Sequence, residues 1–470
     1  MEIFASTEAK RLNLYHLASL FFHEKAEEFS IRGESDEKGV AVTLTRNDES
    51  ECAFQPIDLT LHKEASRAEN AAFGKAFANA AKAFTPYVPP YGLLFGVRPV
   101  KVPVFYRKNG FGIEETKKIL REEFLVSEEK TELLIGLCET ELSFEKTLTE
   151  RDGMLYLSIP FCPSRCNYCS FISSSAPDHL AMIPEYVEQL KDEIRKTTEL
   201  FQTGNRRLSA VYMGGGTPGI LSAEQMESVL GTVRDSFDLS HLREFCVEMG
   251  RPETVTAEKL AVLKLHGAER ISINPQTVSD VTLRRIGRKH SSDDFYRAME
   301  LAQKYDFASV NCDLIAGLEG ESPEDFLGSL QKVLSLNPQE VTLHALCRKR
   351  SATGMELQDE NKKWQDGMAL AHKLCINHGL DPYYLYRQKN TTADLENTGF
   401  AKKGTLGIYN LAMMEDLCDI FSCGAGGIGK LLPKKSGDRI RRFPAFKYPF
   451  EYLAHPEERD KRLEEIRSYL

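Results

Sequence analysis

Between Met154 and about Leu346 short β-rich runs alternate with longer amphipathic stretches, and no other feature of this 470-residue chain restricts its fold so tightly. Runs at Met154 to Ile159, Ala210 to Met213, Glu244 to Glu248, Arg270 to Ile273, Val310 to Ile315 and Val341 to Leu346 read as strands. The stretches Ile183 to Leu200, Ala223 to Ser236, Ala257 to Leu265, Asp280 to Ile286, Asp294 to Tyr305 and Pro323 to Leu336 read as helices. Six βα units in succession call for a parallel sheet with right-handed crossovers. Charge is sparse inside the strands, as a sheet buried on both faces requires. The expected fold is α/β, a partial barrel of six strands.

In parallel α/β barrels the strand-to-helix loops gather at one rim and carry function. The conspicuous residues of this chain fall at those places. Cys162 follows the first strand, Gly214 to Pro218 follow the second, Glu248 ends the third, Gln276 follows the fourth and Asp313 closes the fifth.

Cys162, Cys166 and Cys169 form a C-x3-C-x2-C triplet inside the run Leu155 to Phe171. Three thiolates on so short a loop can hold three corners of a [4Fe–4S] cluster, whose full complement is four cysteines, which leaves one iron open to a ligand that is not protein. A zinc site would want a fourth Cys or His. The run contains no His, and Cys246 falls on a separate strand. A disulfide framework is disfavoured by the length of the chain and by its 11 cysteines, an odd number mostly scattered singly.

A chain of this length is expected to hold two or three domains. The divisions read here are 1–150, a domain of unknown role; 151–378, the barrel core; and 379–470, a substrate-side domain. The start carries charges without an apolar signal core, and no apolar run approaches the ~20 residues needed to span a bilayer. The expected location is the cytoplasm, where thiols stay reduced. A net charge of −9 argues against a general nucleic-acid binder. Gly429 to Lys447 is a basic exception, open to two readings: a solvated face, or a wall that meets an acidic substrate.

Ahead of the barrel, amphipathic residues around Leu12 to Phe22, a strand at Val40 to Thr45, an Ala-rich helix at Ala71 to Phe84 and helices at Lys117 to Phe124 and Lys130 to Leu137 give an α+β domain without a cofactor motif. After it, Leu380 to Asn390 reads as an aromatic-rich strand. The segment Phe421 to Gly429 reads as a packing turn backing the barrel mouth, since it lacks the ending of a phosphate loop.

The cysteine spacing, with Tyr156 ahead of it and Tyr168 inside it, resembles the radical S-adenosylmethionine (SAM) enzymes. That resemblance implies a partial (β/α)6 TIM-like barrel carrying a [4Fe–4S] cluster and SAM, in which the open iron chelates the SAM amino and carboxylate groups and one electron yields a 5′-deoxyadenosyl radical. It implies metal ligation by Cys162, Cys166 and Cys169. Tyr156 is assigned a catalytic place and, with Tyr168, a place against the cofactor. The remaining SAM contacts it implies are Gly214, Gly215 and Gly216 for the amino group, Thr217 beside them, Arg288 as a planar fork for the carboxylate, Gln276 and Asp313 for the ribose hydroxyls, and Glu248 for the ammonium or ribose.

Within that superfamily Tyr156 to Phe171, Gly214 to Pro218, Arg270 to Thr277 and Asn311 to Gly317 resemble the oxygen-independent coproporphyrinogen III oxidases, also called coproporphyrinogen dehydrogenases. The N-terminal extension with Gly92 to Lys101, and the tail with Tyr383 to Asn390 and Leu395 to Ala401, resemble the HemZ-like subgroup. The implied activity is oxidative decarboxylation of two propionates of coproporphyrinogen III to the vinyls of protoporphyrinogen IX, in haem biosynthesis. The implied partners are a tetrapyrrole substrate and a flavodoxin or ferredoxin electron donor, with no nucleic acid and no membrane, and a monomer is favoured. A tetracarboxylate substrate points to Arg348, Lys349, Arg350, Arg387, Lys389 and Lys430 as anchors. In these oxidases His stands two residues before the Pro of the Ile-Pro-Phe-Cys run, and here that place is Ser158. Two alternatives follow: a haem or porphyrin chaperone of the same family, for which His344 and Cys347 are candidate haem ligands, and another radical SAM enzyme acting on a tetrapyrrole.

Overall fold

The computed structural model describes residues 1–169, 175, 177–347, 357–388, 391–435 and 438–470. They form two compact units, Met1–Thr140 and Glu141–Leu470, and the division falls inside the helix Glu128–Glu145.

In the first unit a four-stranded sheet runs in sequence order: β1 (Glu2–Ala5), β2 (Phe29–Ser35), β3 (Gly39–Arg46) and β4 (Glu49–Pro56), with β1 parallel to β2 and the rest antiparallel. Val40, Val42 and Leu44 alternate inward along β3 and meet Leu14, Leu17 and Phe21 of the helix Glu8–Phe22 and Phe73 and Phe77 of the helix Ala65–Ala81. β2 and β4 escaped the sequence reading for a physical reason. Charges and a glycine interrupt β2, and β4 is exposed along most of its length, so neither writes a clean apolar alternation.

The second unit is built on one mixed sheet of eleven strands. Its centre is six parallel neighbours in chain order: β5 (Asp152–Ile159), β6 (Arg207–Gly215), β7 (Glu244–Gly250), β8 (Arg270–Ile273), β9 (Ser309–Ala316) and β10 (Glu340–Ala345). The helices Ile183–Thr203, Ala223–Ser236, Ala257–Leu265, Asp280–Arg285, Ser292–Gln303 and Pro323–Ser335 intervene, and Leu357–Asn377 follows. Ser222, Ser291 and Ser322 start three of them through reciprocal capping boxes. Five further strands extend the sheet at both edges. β11 (Leu380–Arg387) and β12 (Glu396–Lys402) follow β10, with β12 inserted antiparallel between β10 and β11. The chain then crosses to the other edge, where β13 (Asp419–Cys423) lies parallel to β5 and is followed by the antiparallel β14 (Ile428–Leu431) and β15 (Arg441–Pro444). Among the described residues no strand closes the ring, so the barrel is partial.

The helix Ile408–Glu415 packs at the amino end of β7. Its first two backbone amides, of Ile408 and Tyr409, donate to the Glu244 carboxylate at 2.6 and 3.1 Å, which suits the positive end of a helix. Tyr409 then reaches inward and stacks against Tyr212 at 4.5 Å and Tyr156 at 6.0 Å between ring centroids. Among the described residues no helix is long and apolar enough to cross a membrane.

Candidate active site at the carboxyl ends of the strands

The cysteine loop leaves β5 and is pinned from two sides. The Gly216 and Thr217 amides donate to the carbonyls of Ile159 and Phe161, both at 2.8 Å. A Cβ on Gly216 would stand 2.5 Å from the Phe161 carbonyl oxygen, so only glycine allows the second loop to lie this close. From the other side the Asn167 amide donates to the Ile286 carbonyl at 3.1 Å, Asn167 Nδ2 to the Arg285 carbonyl at 2.9 Å and Ser164 Oγ to the Gly287 carbonyl at 3.2 Å. Cys162 and Cys166 are buried and Cys169 is half-buried. Among the described residues no three His, Cys, Asp or Glu side chains converge to ligate a single metal ion.

The sulfur atoms meet donors. Cys162 Sγ lies 3.3 Å from the Thr217 hydroxyl, and Arg251 Nη2 donates to Cys166 Sγ at 3.0 Å. The Arg288 guanidinium also meets Cys166 and the Tyr168 phenol. Buried cations and hydroxyl donors of this kind match thiolates that carry negative charge when they ligate iron. Arg251 was not singled out from the sequence. It stands directly after Gly250 and before Pro252 at the end of β7, the same strand-end rule that selected Glu248, and its charge was the available signal.

The other candidates lie along the same rim or face the lumen below it. Arg288 is buried, donates through Nη1 to the Asn274 carbonyl at 2.5 Å and keeps Nε without a hydrogen-bond partner. Gln276 has φ of +67°, exchanges backbone hydrogen bonds with Asp313 and Ile315, and holds a buried Oε1 without a partner. One orphan donor and one orphan acceptor in the segments that follow β8 fit a ligand that carries a carboxylate and hydroxyls. The Gly216 amide is spent on the Ile159 carbonyl, and a SAM ammonium, itself a donor, would need the carbonyl oxygens of Gly214 to Gly216 rather than their amides.

Asp313 accepts from Asn311 Nδ2 at 2.7 Å and faces His344 Nε2 at 3.6 Å. Burial opposes its charge, but His344, Asn311 and Thr342 together hold its carboxyl below the ordinary range. Glu248 accepts a short hydrogen bond from the Tyr212 phenol. Burial, with the like charge of Asp313, pushes its carboxyl up to about 7. Tyr156 and Tyr212 extend the stack begun by Tyr409 along this wall, and neither Tyr212 nor Tyr409 was anticipated from sequence.

The proposed substrate anchors divide. Arg387 is buried at the carboxyl end of β11. Arg348, Lys349, Arg350 and Lys389 lie outside the described residues. Lys430 is corrected. It is buried, pairs with Asp416 at 2.8 Å and donates to the Met413 carbonyl, because β14 runs antiparallel and carries it toward the amino rim. The Leu432 amide donates to Asp419 at the start of β13, far along the strand from the cysteine loop, and β15 then runs back antiparallel so that the Phe446 carbonyl, beside Lys447, accepts from the Gly426 amide of the glycine turn. The glycine turn between β13 and β14 packs behind β5. Gly424 has φ of +93°, and a Cβ there would fall 2.4 Å from the Tyr186 hydroxyl.

Residues 156–333 match the radical SAM superfamily. The chain is 31% identical over 466 residues to the oxygen-independent coproporphyrinogen-III oxidase-like protein HemZ of Bacillus subtilis (strain 168), covering 95% of this chain and 90% of that protein. It is 30% identical over 281 residues to the heme chaperone HemW of Escherichia coli (strain K12), covering 59% of this chain and 70% of the relative. Among solved structures, the fold resembles that of coproporphyrinogen III oxidase (HemN) from Escherichia coli, a radical SAM enzyme, with a TM-score of 0.52 and 21% identity over 67% of this chain and 72% of that one.

Proposed function

For a chain that belongs to the radical SAM superfamily, and within it to the family of the coproporphyrinogen-III oxidase-like protein HemZ, we propose oxygen-independent oxidative decarboxylation of coproporphyrinogen III propionates. When bound, the [4Fe–4S] cluster and SAM of this superfamily supply a 5′-deoxyadenosyl radical. Cys162, Cys166 and Cys169 would hold three of the irons. Arg288 offers Nε to a carboxylate, and Gln276 offers Oε1 to a hydroxyl. Asp313, kept ionised by His344 and Asn311, is a second acceptor for hydroxyls. Glu248, whose carboxyl is pushed up to about 7, can hold or release a proton near neutral pH beside the Tyr212 phenol, and Tyr212 in turn stacks on Tyr409. Of the candidate substrate anchors, Arg387 stands at the carboxyl end of β11.

The observation that supports the cofactor part of this reading is the pair of buried, unsatisfied groups, Arg288 Nε and Gln276 Oε1, and the substrate part rests on the likeness to HemZ along 95% of the chain. The test is to reconstitute the protein with iron and sulfide and supply SAM, a reductant and coproporphyrinogen III. Carbon dioxide and protoporphyrinogen are expected. Their absence, with an intact cluster and active SAM cleavage, overturns the decarboxylase reading.

A second reading, haem binding without decarboxylation, is favoured by one observation. Ser158 stands where the coproporphyrinogen oxidases carry His, and its hydroxyl is spent on the Ala425 carbonyl. Stoichiometric haem binding by the same preparation, without carbon dioxide release, would establish it.

A further inference from the structure

We infer that Arg251 is a positioning residue that sets the reduction potential of the iron–sulfur cluster by acting on the Cys166 sulfur, an inference that rests on the cluster assigned above. β7 ends in a bulge. Its register with β8 shifts between Glu248 and Gly250, and Gly250 takes φ of +72°. Through that bulge the strand end turns Glu248 toward the lumen and Arg251, three residues on, toward the cysteine loop.

There Arg251 is 3% exposed and donates through Nη2 to the Ser164 carbonyl at 2.7 Å and to Cys166 Sγ at 3.0 Å. Its backbone is fixed as well: the carbonyl accepts from the Thr254 amide at 3.0 Å and the Thr254 hydroxyl at 2.7 Å. Glu253 stands 3.6 Å from the other terminal nitrogen, Nη1, and its second oxygen faces His290 Nδ1 at 3.3 Å. One edge of the guanidinium therefore faces loop and sulfur, and the other a carboxylate that offsets part of its charge. Cys162, in contrast, meets the neutral hydroxyl of Thr217.

Reduction adds one electron, taken from an external one-electron donor, to a centre whose thiolates already carry negative charge. A donor hydrogen bond and a buried positive charge on one thiolate stabilise that added charge and raise the potential. In a site shielded from water the effect is larger than at the surface. Glu253 acts in the opposite sense, because it compensates the same guanidinium. An ammonium in place of Arg251 keeps the charge and loses the planar fork.

The test uses the full chain with its cluster reconstituted, titrated with dithionite and mediators while the electron paramagnetic resonance signal of the reduced cluster is followed. Arg251→Gln is expected to move the midpoint to more negative values by a tenfold or greater change in the reduction equilibrium, about 59 mV for one electron. Arg251→Lys falls between it and the parent. Glu253→Gln moves the midpoint the other way, an opposition that loss of a loop anchor does not produce. Wild-type midpoints in both Arg251→Gln and Glu253→Gln, with full iron content, overturn the inference. If Arg251→Gln takes up no cluster, Glu253→Gln decides alone, and a midpoint at or below that of the parent overturns it. A parent chain that takes up no cluster would instead overturn the functional reading beneath it.

Discussion

Ser158 Oγ donates to the Ala425 carbonyl at 2.6 Å, joining the strand that leads to the cysteine loop to the glycine turn after β13. Ser158 is buried, its own carbonyl accepts from the Tyr186 hydroxyl at 2.8 Å, and the turn lies so near that a Cβ on Gly424 would stand 3.3 Å from the Ser158 Cβ. The space a larger side chain would need is filled by the turn. Ser158→His is therefore expected to lower unfolding stability by about 1–3 kcal/mol through overpacking. Ser158→Ala costs about 1 kcal/mol for the lost hydrogen bond. Urea denaturation measures both, and a His variant as stable as the parent would show that the turn yields.

Glu248 gives a stability that depends on pH. Its folded carboxyl titrates near 7, above its ordinary value of 4.5, so between these values the folded chain binds a proton that the unfolded chain has released. The penalty is absent below about pH 4.5, grows as pH rises and is complete above about 7. Glu248→Gln removes it. The variant is expected to melt higher than the parent at pH 8, by ~2 kcal/mol or less, with the advantage vanishing toward pH 5. Melting curves at the two pH values check the sign.

Arg462 of the helix Pro456–Tyr469 is held by Glu193 Oε1 at 2.6 Å, the Ser422 carbonyl at 2.7 Å and the Phe443 carbonyl at 3.2 Å. The other oxygen of Glu193 accepts from the Gly424 amide and the Tyr452 hydroxyl, each at 2.7 Å. Arg462→Ala would strand a buried carboxylate and is expected to cost about 3–5 kcal/mol. The denaturation midpoint reports it, and a shift under 1 kcal/mol would mean water reaches Glu193.

Arg288 and Gln276 predict a graded loss of SAM affinity. Arg288→Gln removes a charge-assisted pair and is expected to weaken binding about 10- to 100-fold, and Gln276→Ala about 5-fold. Isothermal titration of SAM into cluster-loaded protein without reductant measures both. Unchanged affinities at equal iron content would place SAM elsewhere.

The six central strands were legible because each buried strand writes a short apolar run bounded by turn residues, and the helices Ala223–Ser236 and Ala257–Leu265 were legible as amphipathic stretches between those runs. Motif positions were legible for a related reason. In a parallel sheet a residue at a strand's carboxyl end must lie on one rim, so Cys162, Gly214 and Gln276 could be grouped without coordinates, whereas Asp313, read as closing the fifth strand, lies in the middle of β9. β12 could not be foreseen, since nothing local states that Glu396–Lys402 inserts antiparallel beside β10. Nor could the helix Ile408–Glu415, whose role depends on Glu244, 164 residues earlier in the chain.

By itself the sequence determined the α/β class, the three-cysteine loop and the rim on which the polar candidates stand, because spacing and periodicity act over neighbours that are close along the chain. Only the tertiary structure decided which groups are joined across long separations: Arg251 to Cys166, Tyr212 to Glu248, Ser158 to Ala425, and Lys430 withdrawn to Asp416. The physical reason is that charge and hydrogen-bonding capacity are properties of a residue type, whereas their use depends on burial and on the partner that the packed sheet brings within about 3 Å.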